Sequence, residues 1–63
     1  RSKMHIRIEM QAEGLKRPVT RNYNSMSEAM DEWDRSLEGA LEGEQWRLIN
    51  LETGSIMSEY VKR

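Results

Sequence analysis

SMSEAMDEWDRSLEGALEG, Ser25 to Gly43, is the one stretch of this chain with helical periodicity, and its reading decides the fold. Met26, Met30, Trp33, Leu37 and Leu41 recur at steps of four and three, which draws a single apolar stripe along a helix of about 3.6 residues per turn. Ser25 followed by Glu28 has the form of a capping box, in which each side chain satisfies a free backbone N–H of the first turn. Gly43 offers a stop after the last stripe residue. Gly39 interrupts the pattern, because glycine inside a helix costs about 1 kcal/mol relative to alanine. It marks either an early helix end near Glu38 or a close backbone approach to a strand.

Strand patterns lie on both sides of the helix. From Lys3 to Met10 the chain alternates, with Met4, Ile6, Ile8 and Met10 on one face and Lys3, His5, Arg7 and Glu9 on the other. A polar turn around Gly14 leads to a return strand over Pro18 to Asn22. Proline has no N–H for a ladder, so this strand belongs at an edge. Val19, Arg21 and Tyr23 share a face, which requires either that Arg21 snorkels or that a bulge changes the register. After the helix come a third strand, Glu44 to Leu51, a turn at Glu52-Thr53-Gly54, and a fourth strand, Ile56 to Lys62. A three-residue loop pairs Leu51 with Ser55, Ile49 with Met57, Arg47 with Glu59 and Trp46 with Tyr60. That register joins one salt pair and one aromatic pair across the strands. The expected fold is α+β: an antiparallel-rich sheet in the order 2-1-3-4, with the helix as a right-handed crossover packed on one face.

The second hairpin is apolar on both faces, whereas one helix covers only one face of a sheet. Trp46, Leu48, Ile56 and Tyr60 are expected under the helix, since only Asn50 and Ser58 interrupt them. Ile49, Leu51, Met57 and Val61 then form an uncovered patch with Arg47 and Glu59 as its polar rim. Such a patch marks a partner surface.

Size and composition narrow the function. Sixty-three residues are expected to form one small domain, with Arg1 to Lys3 read as a cloning remnant and Met4 as the native start. There is no cysteine for a disulfide or thiolate site, and no apolar run of membrane-spanning length or signal-peptide pattern, so a cytoplasmic setting is expected. The net charge of −1 hides a split. Arg1, Lys3, Arg7, Lys16, Arg17 and Arg21 face only Glu9 and Glu13 in the first third. In the helical stretch Arg35 stands alone against Glu28, Asp31, Glu32, Asp34, Glu38, Glu42 and Glu44. The split describes either a solvated surface whose halves attract or a bipolar molecule with different partners on each side.

Catalytic chemistry has little to draw on. His5 is the single histidine and sits on the wet face of the first strand, and no phosphate loop or metal-ligand spacing is present. The helix acids form a solubilising face rather than a catalytic pair. No enzyme activity, cofactor, metal or small-molecule substrate is expected. A nucleic-acid surface is an alternative: His5, Arg7, Arg21, Tyr23 and Arg47 would supply cations and a stacking ring to a single strand or duplex. The overall acidity runs against it.

The run Tyr23 to Met30, YNSMSEAM after a short hairpin, resembles small phage and mobile-element proteins in which a strand pair leads into a capped, Ala- and Glu-rich helix and another strand. Some phage-encoded inhibitors of bacterial RNA polymerase are similar at this level, as are integrase arm domains. The chain departs from the arms in its second hairpin and lower basicity. The resemblance implies a small regulator or inhibitor of a host protein. The expected role is therefore a non-enzymatic protein-binding module, docking through the open face or edge of the second hairpin. A homodimer through the same patch is the self-binding form of that expectation.

Overall fold

A computed structural model describes residues 5–63. The expectations for Arg1 to Lys3 and for Met4 lie outside the described residues. Strands β1 (Ile6–Gln11) and β2 (Val19–Tyr23) are followed by helix α1 (Met26–Glu38) and by strands β3 (Gln45–Asn50) and β4 (Ser55–Val61). The sheet runs β2-β1-β3-β4, and every pairing is antiparallel. β2 and β3 both oppose β1, so they are parallel to each other, and α1 spans β1 to join them. Pro18 leads directly into an edge strand, where its missing N–H costs no ladder bond.

The β1–β2 register is unbroken, with Ile6 opposite Tyr23, Ile8 opposite Arg21 and Met10 opposite Val19. Arg21 therefore lies on the helix side in the phase of its apolar neighbours and stays exposed: it snorkels, and β2 needs no bulge. Ile6, Ile8 and Leu48 from the sheet meet Ala29 and Trp33 from the helix in the buried core. Tyr23, Leu37, Trp46 and Tyr60 pack around it.

The helix is shorter than its stripe. Ser25 Oγ accepts from the Glu28 N–H at 3.4 Å, and the chain leaves the helix at Gly39, so the early end near Glu38 is the one formed. Gly39 makes no close approach to a strand. Ala29, Trp33 and Leu37 carry the packed face, while Met26 and Met30 lie on its exposed flank. Leu41, expected at the end of the stripe, is 68% exposed in the connection to β3. Two features organise that connection. Gly43 takes a φ of +88°, which a side chain would strain. One Glu44 oxygen accepts from both the Leu41 N–H at 2.8 Å and the Trp46 indole N–H at 3.2 Å. That contact fixes where β3 begins.

The second hairpin departs from its expected register. Trp46 pairs with Tyr60 and Arg47 with Glu59 as the sequence implies, but the pairing shifts between Leu48 and Ile49. Beyond the shift Ile49 lies opposite Ile56 and Asn50 opposite Ser55, so Met57 is the extra residue of a β-bulge. The expected Ile49–Met57 and Leu51–Ser55 pairs do not form. Leu51 instead opens a four-residue turn, Leu51 to Gly54, and its N–H donates to the His5 carbonyl at 2.7 Å. Asn50 Oδ1 accepts from the N–H groups of Glu52 at 2.9 Å and Thr53 at 3.4 Å, an Asx-type lock on the turn. Ile56 consequently sits on the side of Ile49, away from the helix. Trp46, Leu48 and Tyr60 keep their expected places on the helix side.

Candidate docking surface

The face away from the helix can be read row by row from the registers. One row runs Asn22, Arg7, Ile49 and Ile56; the next runs Thr20, Glu9, Arg47 and Glu59; the third ends with Gln45 and Val61. Leu51 adjoins His5 beyond the first row. Among the described residues no helix or loop covers this face. Ile56, Met57 and Val61 are 51%, 39% and 47% exposed, and Ile49 and Leu51 are half-buried by their neighbours alone.

The five apolar residues do not make one patch. Ile49, Leu51, Ile56 and Met57 gather at the turn end of the hairpin. Val61 lies at the opposite end, cut off by the row that holds Arg47 and Glu59. Arg47 Nε donates to Glu59 Oε2 at 3.0 Å, so this pair crosses the middle of the face rather than bordering it. The sequence stripe missed Ile56, because only the bulge turns it outward. The Asn50 side chain, able to accept from the residues just after it, was the available signal for that turn.

The candidate nucleic-acid residues are divided between the two sides of the sheet. His5, Arg7 and Arg47 share the open face, whereas Arg21 and Tyr23 lie on the helix side. The basic side chains of the open face have local partners. His5 Nδ1 is 2.7 Å from Glu52 Oε2, Arg7 is 3.9 Å from Glu9, and Arg7 Nε donates to Asn22 Oδ1 at 3.0 Å. With Arg47 bound to Glu59, the charges of the described residues on this face nearly balance. Basic single-strand-binding surfaces instead leave their cations for phosphates.

The edge of β4 is also less open than its position suggests. Lys62 directs its N–H to Glu44 and its carbonyl to Gly43, both at 2.9 Å. The alternation from there turns the backbone of Glu59 and Val61 outward. A charged residue and a bulge on one edge strand both discourage a further strand from pairing there.

No group of three or more His, Asp or Glu among the described residues is placed to hold a metal ion. No helix among them is long and apolar enough to cross a membrane. The fold and face together define a small α+β protein whose second hairpin is lined with apolar residues on a side that no element covers among the described residues. No protein-family model, curated protein or solved structure matches the chain.

Proposed function

We propose that this chain is a non-enzymatic protein-binding module that docks a partner on the open face of the β3–β4 hairpin. The observation that carries the reading is the cluster of Ile49, Leu51, Ile56 and Met57 at the turn end, the first two half-buried and the last two exposed, beside charges that are already paired among the described residues. A neutral, partly apolar surface suits a partner surface of low charge. The footprint supports a transient contact. Four strands about 4.8 Å apart and about 20 Å long project roughly 400 Å². A standard interface covers about 800 Å² per partner. Leu51, Ile56 and Met57 are the anchors, and the Arg47–Glu59 pair supplies directional hydrogen bonding beside them. The role that fits is a small regulator or inhibitor of a larger host protein, of the kind the resembling phage proteins provide.

Met57→Asp tests the reading, because it places a charge at the centre of the apolar cluster without touching the core. Sedimentation of the wild type at rising concentration detects docking of a second copy, and capture from bacterial lysate detects a foreign partner. The expected outcome is binding that is insensitive to salt and lost in a folded Met57→Asp protein. A wild type that stays monomeric, and captures the same proteins as Met57→Asp, would remove this face from consideration.

A further inference from the structure

A second surface lies on the other side of the sheet, between α1 and the β2 edge. It is a groove of about 240 Å³, floored by Ile8, Met10 and Trp46, with Val19, Arg21 and Tyr23 along its β2 side. Small-molecule sites typically enclose about 300–1,000 Å³, so this one is sized for a single side chain. Glu32 and Ser36 of the helix form the far wall. Glu32 is 3.0 Å from Arg35, leaving its charge engaged along the helix. Arg21, and Lys16 and Arg17 just before the strand, have no carboxylate within ion-pair distance among the described residues. Of the two charged groups that line the groove, Arg21 is therefore the one left without a partner.

The two sheet edges differ in a way that matters here. Each carries a charged residue, Glu59 on β4 and Arg21 on β2, but only β4 carries a bulge. β2 pairs with β1 without a shift from Val19 to Tyr23, and its outer side has no neighbour among the described residues. A regular, uncovered edge is a template for one more strand.

We infer that the β2 edge and its groove bind an extended, acidic peptide segment of a partner protein, added to the sheet as a fifth strand with an apolar side chain in the groove. Side chains on an added strand alternate between faces. Those opposite Val19, Arg21 and Tyr23 point to the helix side; those opposite Thr20 and Asn22 point to the open side. The matching pattern is apolar, any, acidic, any, apolar, with the acid facing Arg21. A backbone edge and a one-side-chain groove suit a peptide better than a nucleic acid, whose phosphates would need only the cations. This surface is independent of the open-face docking, since β4 and its Met57 lie at the opposite edge of the sheet from β2.

The test uses a terminally blocked Leu-Thr-Glu-Thr-Leu peptide, a Leu-Thr-Lys-Thr-Leu control and an oligo-dT strand, each titrated into the labelled protein. The indole N–H of Trp46 reports the groove by NMR, and that of Trp33 reports the core. The acidic peptide should shift Trp46 but not Trp33, and bind about five-fold more tightly than the basic one. Arg21→Glu should invert the preference, and Met57→Asp should leave it intact. Arg21→Gln, which must abolish the preference, carries the test if the reversal disturbs the Trp33 signal. Equal binding of the two peptides, a preference that survives loss of Arg21, no Trp46 shift at millimolar peptide, or the same shifts with oligo-dT would each overturn the inference.

Discussion

Leu48 and Ile49 are neighbours in β3 that face opposite sides of the sheet, and substituting each in turn tests the assignment of faces directly. Leu48 is 1% exposed and belongs to the core cluster with Ile6, Ile8, Ala29 and Trp33. Leu48→Ala removes three carbons at about 0.8 kcal/mol each, and adds a cavity term because the surrounding side chains relax only partly. A loss of about 3 kcal/mol follows. At about 0.05–0.15 kcal/mol per residue, a chain of this length has only about 3–9 kcal/mol in total, so the loss removes between about a third and all of it. Ile49→Thr keeps the β-branched shape but gives up apolar contact on an uncovered face, for a loss below about 1 kcal/mol. Urea unfolding followed by the fluorescence of buried Trp33 separates the two. With a slope near 1 kcal/mol per molar urea, the midpoint falls by about 3 M for Leu48→Ala and by under about 1 M for Ile49→Thr. If Ile49→Thr proves as costly as Leu48→Ala, the hairpin faces are assigned the wrong way round.

Two smaller effects can be measured in the same way. Ser25→Ala removes the oxygen that accepts from the Glu28 N–H at 3.4 Å, a long bond, and should cost about 0.5–1 kcal/mol in urea unfolding, with Ser25→Gly costing less. A double-mutant cycle on Arg47 and Glu59 should give a coupling of about 0.2–1 kcal/mol that shrinks with added salt, because both side chains are over 40% exposed. A coupling unchanged at 1 M salt would mean that the pair is shielded from water.

Much of the architecture was legible because it depends on local periodicity. The alternation up to Met10, the Ser25 cap and the apolar step through Trp33 and Leu37 each identify an element without reference to its neighbours. Pro18 and the need to cross over β1 then place β2 at an edge. The Arg47–Glu59 and Trp46–Tyr60 pairs were legible too, since complementary residues at fixed offsets select one register. The helix length was harder to read. Leu41 fits the stripe by count, but Gly39 weakens the helix there, and the Glu44 carboxylate holds the Leu41 N–H in a turn. That competition between a helical bond and a side-chain bond leaves no periodic trace. The composition of the buried face was also obscured: Ala29 is wholly buried while the larger Met26 and Met30 lie to one side, because close approach of helix to sheet favours the smaller residue at the centre.

The site was legible only in part. Val61 was recognisable as a residue of the open face and Met57 as exposed, but not their separation by a charged row, nor the addition of Ile56. The split of His5, Arg7 and Arg47 from Arg21 and Tyr23 follows from β1–β2 pairing without a bulge, one of two phases that the residues allowed.

The sequence by itself determined the kinds of element, their order, and the excess of apolar residues over what a lone helix can shelter, since these follow from side-chain spacing along the backbone. Only the tertiary structure decided where that excess lies. The turn locked by Asn50 and the bulge at Met57 arise from fitting two strands of unequal residue count to one ladder, a constraint that neither strand contains alone.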